Sequence, residues 1–263
     1  MVRKSSVPYT APPKLELRGV SKKFDSKVVL DGVNLKVEAG RSLVIIGGSG
    51  QGKSVTLKIA IGLMRPDLGR VLVDGEDVTR LSAAGRRRLA EQFGMLFQGA
   101  ALFDSLSVWE NVAFRLVNAD KVKRAVAREE AVEALRRVGL GSEVADLYPG
   151  ELSGGMQKRV GLARAVVADP EIIFFDEPTT GLDPINADLI NDLIVGQVKR
   201  LGCTAISITH DMASARKIAD EIAMLHEGKI VWRGPASAID ASGNAYVEQF
   251  VAGRADGPIK AGV

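Results

Sequence analysis

A glycine-rich motif constrains the fold of this chain more than any other feature of its sequence. Residues 47–54 read Gly-Gly-Ser-Gly-Gln-Gly-Lys-Ser and match the pattern G-x-x-x-x-G-K-[ST]. They follow a wholly apolar run, residues 43–46, of the kind expected for a strand that is covered on both faces. A helix-like segment starts at Val55. The sequence therefore predicts a strand, a loop and a helix in that order.

This arrangement explains the residue types in the motif. Glycines let the backbone bend with its N–H groups pointing inward, which makes a nest for phosphates at the N-terminus of a helix. Lys53 is placed to reach the β- and γ-phosphates of a nucleotide, and Ser54 to ligate Mg²⁺. The alternative is a glycine-rich turn that matches the pattern by accident. The candidate nucleotide-binding residues here are Gly47, Gly48, Ser49, Gly50, Gln51, Gly52, Lys53, Ser54 and Val55.

The apolar pattern along the rest of the chain indicates an α/β fold. Short alternating segments at residues 15–17, 28–30 and 35–37 predict an antiparallel β lobe. Residues 100–168 are mainly helical in pattern, with one helix over residues 121–138. Strands and helices then alternate, which is typical of a mostly parallel sheet with helices on both faces. The predicted strands of this part are residues 172–175, 204–209, 221–225 and 229–232, with helices from 184 and over 211–219.

Two carboxylates close the apolar strand at residues 172–175. Asp176 and Glu177 are costly at the end of a central strand unless a cation or a ligand uses them. In open α/β sheets this carboxyl end is where ligands lie. Asp176 therefore suits a Mg²⁺ shell, and Glu177 is placed to orient and deprotonate an attacking water. The alternative is an exposed acidic pair that opens a loop.

A second anion-binding segment opens a later helix. Residues 152–157 read Leu-Ser-Gly-Gly-Met-Gln, and we predict a helix starting near Lys158. Ser153, Gly154 and Gly155 at a helix start form an anion site that a single nucleotide does not need. This segment resembles the signature sequence of ABC ATPases, P-loop NTPases in which it contacts the γ-phosphate of ATP held by the opposite subunit. The resemblance implies that Ser153, Gly154, Gly155 and Gln157 bind nucleotide across a dimer.

Further segments resemble ABC motifs in the expected order, over residues 15–235. Phe24 occupies the position of the aromatic that stacks on adenine, although a core phenylalanine remains the alternative. Gln98 resembles the Q-loop glutamine, which touches Mg²⁺ and the attacking water. Asp183, in Gly-Leu-Asp at 181–183, resembles the D-loop, and His210 the switch histidine. The resemblance implies a RecA-like core with an antiparallel β lobe, an inserted helical lobe, and ATP and Mg²⁺ as cofactors.

Three segments are similar to the ATPases of Mla/Mce phospholipid systems: residues 95–103, 150–156 and 249–258. That family implies an integral-membrane permease, an MCE-domain lipid-binding protein and phospholipid transport between inner and outer membranes. In some members a small STAS-type protein sits on the helical lobe. Apolar Leu102, Phe103 and Trp109 lie where ABC ATPases receive the coupling helix of a permease. For Trp109, packing inside the helical lobe is an equal alternative.

Composition limits the remaining possibilities. The formal net charge of +3 over 263 residues gives little support for nucleic-acid binding, and Arg86–Arg88 is best interpreted as a solvated helix face. The single cysteine, Cys203, fits a buried position in a reducing compartment. No apolar run is long enough to span a bilayer. We therefore expect a cytoplasmic protein, peripheral on the cytoplasmic face of the inner membrane through its partner.

The sequence leaves two rival functions and one domain layout to test. An ABC ATPase without transport function would usually carry tandem domains or coiled-coil insertions, and a P-loop kinase would leave residues 152–156 unexplained. Among transporters, sterols or organic solvents are alternative cargoes. The expected layout is a loose leader at 1–13, an ABC ATPase domain at 14–240 and a C-terminal helix with a short tail at 241–263.

Overall fold

The computed structural model describes residues 11–260, so most of the predicted leader at 1–13 lies outside the described residues. The strands are β1 Leu15–Phe24, β2 Lys27–Val37, β3 Ser42–Ile46, β4 Leu68–Val73, β5 Glu76–Asp77, β6 Phe93–Leu96, β7 Ile172–Asp176, β8 Thr204–Thr209, β9 Glu221–His226 and β10 Lys229–Pro235. The helices are α1 Lys53–Ala60, α2 Ala83–Glu91, α3 Val108–Val112, α4 Phe114–Asn118, α5 Arg124–Arg137, α6 Gly154–Val166, α7 Pro184–Leu201, α8 Met212–Ile218 and α9 Ala245–Ala252.

The larger sheet is the mostly parallel one predicted from the apolar runs. Its strand order is β10-β9-β3-β8-β7-β6, and every neighbouring pair except β10 and β9 is parallel. The four apolar residues of β7, at 172–175, have no exposed surface. Such strands form where helices cover both faces of a sheet. Because β3 and β7 end at the same edge, the glycine motif and the acid pair follow neighbouring parts of the sheet.

The antiparallel lobe is also present, with one correction. It is a four-stranded sheet in the order β2-β1-β4-β5. Residues 28–30 and 35–37, which the sequence placed in separate strands around a turn, belong to the single strand β2. The register against β1 shifts between Val20↔Val33 and Lys22↔Leu30. Gly32 lies there with a φ of 65°, so a bulge absorbs the glycine and the strand continues.

The inserted helical lobe runs through α3, α4, α5 and α6. The helix predicted over residues 121–138 is three residues shorter at its start, because α5 begins at Arg124. Trp109 is only 9% exposed, and the guanidinium of Arg124 lies 4.9 Å from its ring centroid. Of the two interpretations of Trp109, the structure therefore supports packing inside the lobe. Phe103 and Phe114 are the exposed aromatic pair there, with ring centroids 4.6 Å apart.

The C-terminal segment folds back on its own helix. The side chain of Gln249, in α9, is buried and donates to the carbonyls of Arg254, Ala255 and Ile259, and it accepts from the Ile259 N–H. Four hydrogen bonds to one buried amide fix the tail as far as Ile259. Among the described residues, the structure has no helix that is both long and apolar enough to cross a membrane.

Candidate nucleotide-binding site

The glycine motif forms a loop that only glycine can build at two positions. A Cβ on Gly47 would lie 2.3 Å from the Leu225 carbonyl oxygen, and one on Gly52 would lie 2.8 Å from the Val29 carbonyl oxygen. Gly52 is also the N-cap residue of α1, with a φ of 102°. Because glycine has no side chain, the free backbone N–H groups in the first turn of α1 receive no hydrogen bond from the cap. These N–H groups therefore stay available to an anion.

Helix α1 begins earlier than the sequence predicted. It starts at Lys53, so Lys53, Ser54 and Val55 all lie in its first turn. The Lys53 ammonium donates to the carbonyls of Gly47 (2.7 Å) and Gly48 (3.1 Å), across the mouth of the loop. Ser49, Gly50 and Ser54 are exposed at the loop surface. The Gln51 side chain accepts a hydrogen bond from the Glu227 N–H, which ties the loop to the turn after β9.

Lys53 also faces the acid pair at the end of β7. Its Nζ atom lies 3.7 Å from Oε1 of Glu177. Burial lowers the pKa of Lys53, and the charges of Glu177 and Asp176 oppose that shift. A buried lysine beside carboxylates stays a strong donor for phosphate oxygens while remaining electrically balanced.

Asp176, the last residue of β7, carries a partly buried carboxylate. Its Oδ1 atom is buried and accepts no hydrogen bond from any described residue. Burial first, and then the neighbouring Glu177, raise the pKa of Asp176. Buried oxygens of this kind are costly unless a ligand pairs with them. Mg²⁺ prefers carboxylate and hydroxyl oxygens, so the residues fit the ion that the sequence predicted.

Glu177 sits in a strained position next to His210. It is 9% exposed and has a φ of 49°, in the left-handed region that side chains other than glycine rarely adopt. Its Oε2 atom lies 2.7 Å from Nδ1 of His210 and accepts from the Thr180 hydroxyl at 3.1 Å. The structure thus gathers Lys53, Asp176, Glu177 and His210 around one point.

Gln98 is linked to this cluster by its backbone carbonyl and not by its side chain. The Gln98 side chain is exposed, and its carbonyl accepts from the ammonium of Lys158 on α6. Burial lowers the pKa of Lys158, whereas Asp176 and Glu177 act in the opposite direction. Sequence reasoning overlooked Lys158. Helix α6 also carries Gln157, Arg159 and Arg164, so nothing in its sequence singled Lys158 out.

The signature segment, residues 152–157, opens α6 directly. The helix begins at Gly154 and not near Lys158, so both glycines belong to its first turn. Ser153 caps it, and its hydroxyl accepts from the Met156 N–H at 3.3 Å. Gly154 is exposed, and a Cβ at this position would meet no atom within 4 Å. Gln157 instead turns inward and donates to the Pro149 and Leu152 carbonyls.

The remaining predicted residues lie at the rim. Phe24 is 44% exposed at the end of β1, which excludes the core alternative, and the Lys22 ammonium lies 5.6 Å from its ring centroid. Asp183 caps α7 by accepting from the N–H groups of Ile185 and Asn186. Hydrogen bonds from Asn186 lower the pKa of Asp183. The second histidine of the chain, His226, packs against Tyr246, with ring centroids 4.9 Å apart.

Comparisons with known proteins identify this arrangement. The ABC transporter family model matches residues 30–180. "Probable ribonucleotide transport ATP-binding protein mkl" of Mycobacterium leprae is 41% identical, over 93% of this chain and 70% of the relative. "Intermembrane phospholipid transport system ATP-binding protein MlaF" of Haemophilus influenzae is 37% identical, over 94% of this chain and 93% of the relative. The dimeric post-hydrolysis structure of the ATP-binding cassette MJ0796, bound to ADP and Pi, superposes with a TM-score of 0.78 at 30% identity, covering 84% of this chain and 98% of that one. The chain belongs to the ABC transporter family, as an ATP-binding and ATP-hydrolysing member.

Proposed function

We propose that this chain powers phospholipid transport between two membranes, as the ATPase of a complex with a separate permease. The observation that carries the proposal is the similarity to an intermembrane phospholipid transport ATPase, at 37% identity over nearly the full length of both chains. The matched length includes both the nucleotide site and the helical lobe. Membrane attachment through the permease would make the protein peripheral on the cytoplasmic face of the inner membrane.

ATP is clamped between two copies of the chain. Gly154 and Ser153 are exposed to solvent at the start of α6, where the free N–H groups and the helix dipole favour an anion. The chain's own P-loop, residues 47–54, already offers a complete phosphate nest at α1. Ser153, Gly154 and Gly155 therefore serve the γ-phosphate held by a second copy, with Asp183 and the adjoining loop at the shared interface. The dimeric state of the cassette MJ0796 supports this assembly.

Hydrolysis follows from the cluster around Glu177. The P-loop amides and Lys53 bind and orient the phosphates, and Phe24 offers its exposed face to adenine. Glu177 accepts the proton of the attacking water, held in place by Thr180 and His210. His210 orients the base and contacts the γ-phosphate, and Gln98 positions the water. Ser54, Asp176 and Gln98 would hold Mg²⁺, which would supply charge stabilisation at the phosphates.

A permease would contact the exposed aromatic pair of the helical lobe. Phe103 and Phe114 stack on each other and remain partly open to solvent. The loop that carries Phe103 is fixed by the buried Asn111, whose amide donates to the carbonyls of Phe103, Leu106 and Ser107. An exposed aromatic pair on a rigidly held loop is typical of a protein-binding surface. An MCE-domain protein completes the complex, with a STAS-type protein as a further partner and no nucleic acid. The division into leader, ATPase domain and tail stays a prediction.

Purification of the complex from the native host tests the cargo. We expect a permease and an MCE-domain protein to co-purify with the chain, and lipid extraction to recover phospholipid in stoichiometric amounts. Sterol or ribonucleotide as the enriched molecule would replace phospholipid as the cargo while leaving the transport role intact. Recovery with ribosomes or nucleic acid, and without a permease, would contradict the transport function altogether.

A further inference from the structure

Two alanines after Gln98 adopt a backbone conformation that alanine normally avoids. Ala100 and Ala101 have φ values of 60° and 48°. In this left-handed region Cβ crowds the following carbonyl, and only glycine visits it freely. We call residues 98–101 the Q-loop turn. Its strain persists only if the surrounding structure holds it, and such strain concentrates at functional sites.

Arg164, on α6, holds the strained turn. Its Nη1 atom donates to the Ala101 carbonyl at 2.7 Å, and its Nη2 atom donates to the Ala100 carbonyl. One planar guanidinium therefore donates hydrogen bonds to the carbonyls of both left-handed residues. Lys158, six residues earlier on the same helix, donates to the Gln98 carbonyl. Three of the four carbonyls in the turn are bound to cations of α6.

The helix approaches the turn as closely as atoms permit. A Cβ on Gly161 would lie 2.8 Å from Cδ1 of Leu96 and 3.2 Å from Cβ of Ala100. A Cβ on Gly94, in β6, would lie 2.1 Å from the Ala165 carbonyl oxygen. Glycine on each side lets α6 pack directly against β6 and the turn, and a closely packed interior transmits strain.

Arg164 carries a charge that stability alone does not explain. Burial lowers its pKa, and among the described residues no carboxylate offsets that effect. A partly buried cation that is paired only with carbonyl dipoles is an expensive way to pack a helix. An apolar side chain of similar length would fill the same space at lower cost. The hydrogen bonds of the guanidinium, and not the volume of the side chain, therefore account for an arginine at this position.

We propose that Arg164 is a positioning residue for Gln98, which it acts on by holding the Q-loop turn in its left-handed form. Because α6 begins at the signature segment, the same helix connects Gln98 to the contact that Ser153 and Gly154 make with the ATP of the second copy. Closure around one nucleotide thereby sets the catalytic glutamine of the other. This inference rests on the proposed function of Gln98 and of the two-copy clamp.

The test measures ATP hydrolysis by the full 263-residue chain. Arg164→Met removes the donors and keeps the apolar length, and we expect kcat to fall about 10- to 100-fold, the usual cost of misplacing a catalytic group by about an ångström. KM for ATP should stay within about twofold, since the P-loop is untouched. Arg164→Lys keeps the charge and one donor, so its kcat should lie between wild type and Arg164→Met.

Ala101→Gly provides the readout that a purely structural role would not move. Ala101 is exposed, so the change removes strain without removing packing. Its own rate of ATP hydrolysis is the reference for the double variant. Combined with Arg164→Met it should recover part of the lost kcat, because glycine adopts the left-handed form without the guanidinium. Hydrogen exchange at residues 98–103 should rise in Arg164→Met and less in α6 itself.

Several results would overturn the proposal. A wild-type kcat in Arg164→Met would do so. The proposal would also fail if Arg164→Met lost both ATP binding and hydrolysis, and if adding Ala101→Gly to it restored neither. If Arg164→Met does not fold, the same comparison is made between Arg164→Lys with and without Ala101→Gly. Gln98→Ala distinguishes failure of the proposed function from failure of this inference. Hydrolysis of ATP at the wild-type rate by Gln98→Ala would contradict the proposed role of Gln98. Impaired Gln98→Ala beside a fully active Arg164→Met removes only the role of Arg164.

Discussion

Glu177→Gln tests the chemistry of the site with minimal disturbance of its structure. The substitution conserves size and planarity in a side chain that is 9% exposed, and it leaves the N–H bond to the Ile208 carbonyl in place. Its amide can still meet His210 and Thr180, but it no longer accepts a proton from water. Loss of a general base costs about 10²–10⁴-fold in hydrolysis, which corresponds to about 3–5 kcal/mol of activation free energy.

Phosphate release under single-turnover conditions measures this change, and equilibrium binding of a fluorescent ATP analogue checks that affinity is retained. ATP should then accumulate unhydrolysed in the closed dimer. Glu130→Gln, the same change at an exposed position on α5, is the matched control and should hydrolyse ATP normally. Hydrolysis by Glu177→Gln within about twofold of wild type, far below the loss expected for a general base, would refute the assignment of the base.

The other predictions concern the stability of the fold and the shape of the P-loop. Because burial raises the folded pKa of Asp176, its contribution to stability is present below the ordinary carboxyl pKa and is lost as pH rises through the raised value. Asp176→Asn should therefore raise the melting temperature of the nucleotide-free protein at neutral pH, and an unchanged or lower midpoint would contradict this. Asn111→Ala should lower the free energy of unfolding by about 2–4 kcal/mol, since four hydrogen bonds lose one buried partner, and urea titration against the exposed control Asn118→Ala measures the difference. Gly47→Ala should prevent the native P-loop, because Cβ would overlap the Leu225 carbonyl oxygen, and ATP binding at wild-type affinity would show that the loop can adapt.

The sequence was sufficient where local pattern and burial agree. Strand β8 occupies the predicted residues 204–209, and the P-loop, the acid pair and His210 meet at one sheet edge because the strands that carry them are parallel. The β2 prediction was wrong because Gly32 fits a bulge as readily as a turn. Trp109 stayed undecided because an apolar residue in a surface lobe suits packing and docking equally well.

Tertiary contacts set the parts that the sequence did not predict. Lys158 and Arg164 look like ordinary polar residues of a helix until α6 is packed against the Q-loop turn. Nothing in an Ala-Ala pair indicates a left-handed backbone, since alanine avoids it in isolation. The left-handed backbone of Glu177 is hidden for the same reason, because it occurs where its N–H bonds the Ile208 carbonyl on β8, a tertiary contact that the local sequence does not encode.

The two-copy clamp is tested most directly by mixing two inactive variants. Gly154→Asp places a carboxylate where the γ-phosphate of the second copy would lie, and the open space around Gly154 lets the variant fold. Gly196→Asp, the same change at an exposed glycine of α7 where a Cβ would also meet no atom within 4 Å, is its control and should retain activity. Lys53→Ala disables the P-loop instead, so neither variant alone should hydrolyse ATP.

A mixed dimer of Gly154→Asp and Lys53→Ala chains contains one intact composite site, built from the P-loop of the first and the signature segment of the second. The account predicts that mixing restores ATP hydrolysis that neither variant shows separately, with a rate that peaks near equal amounts of the two chains. A mixture no more active than the sum of its components, or a Gly154→Asp chain that is fully active alone, would contradict it.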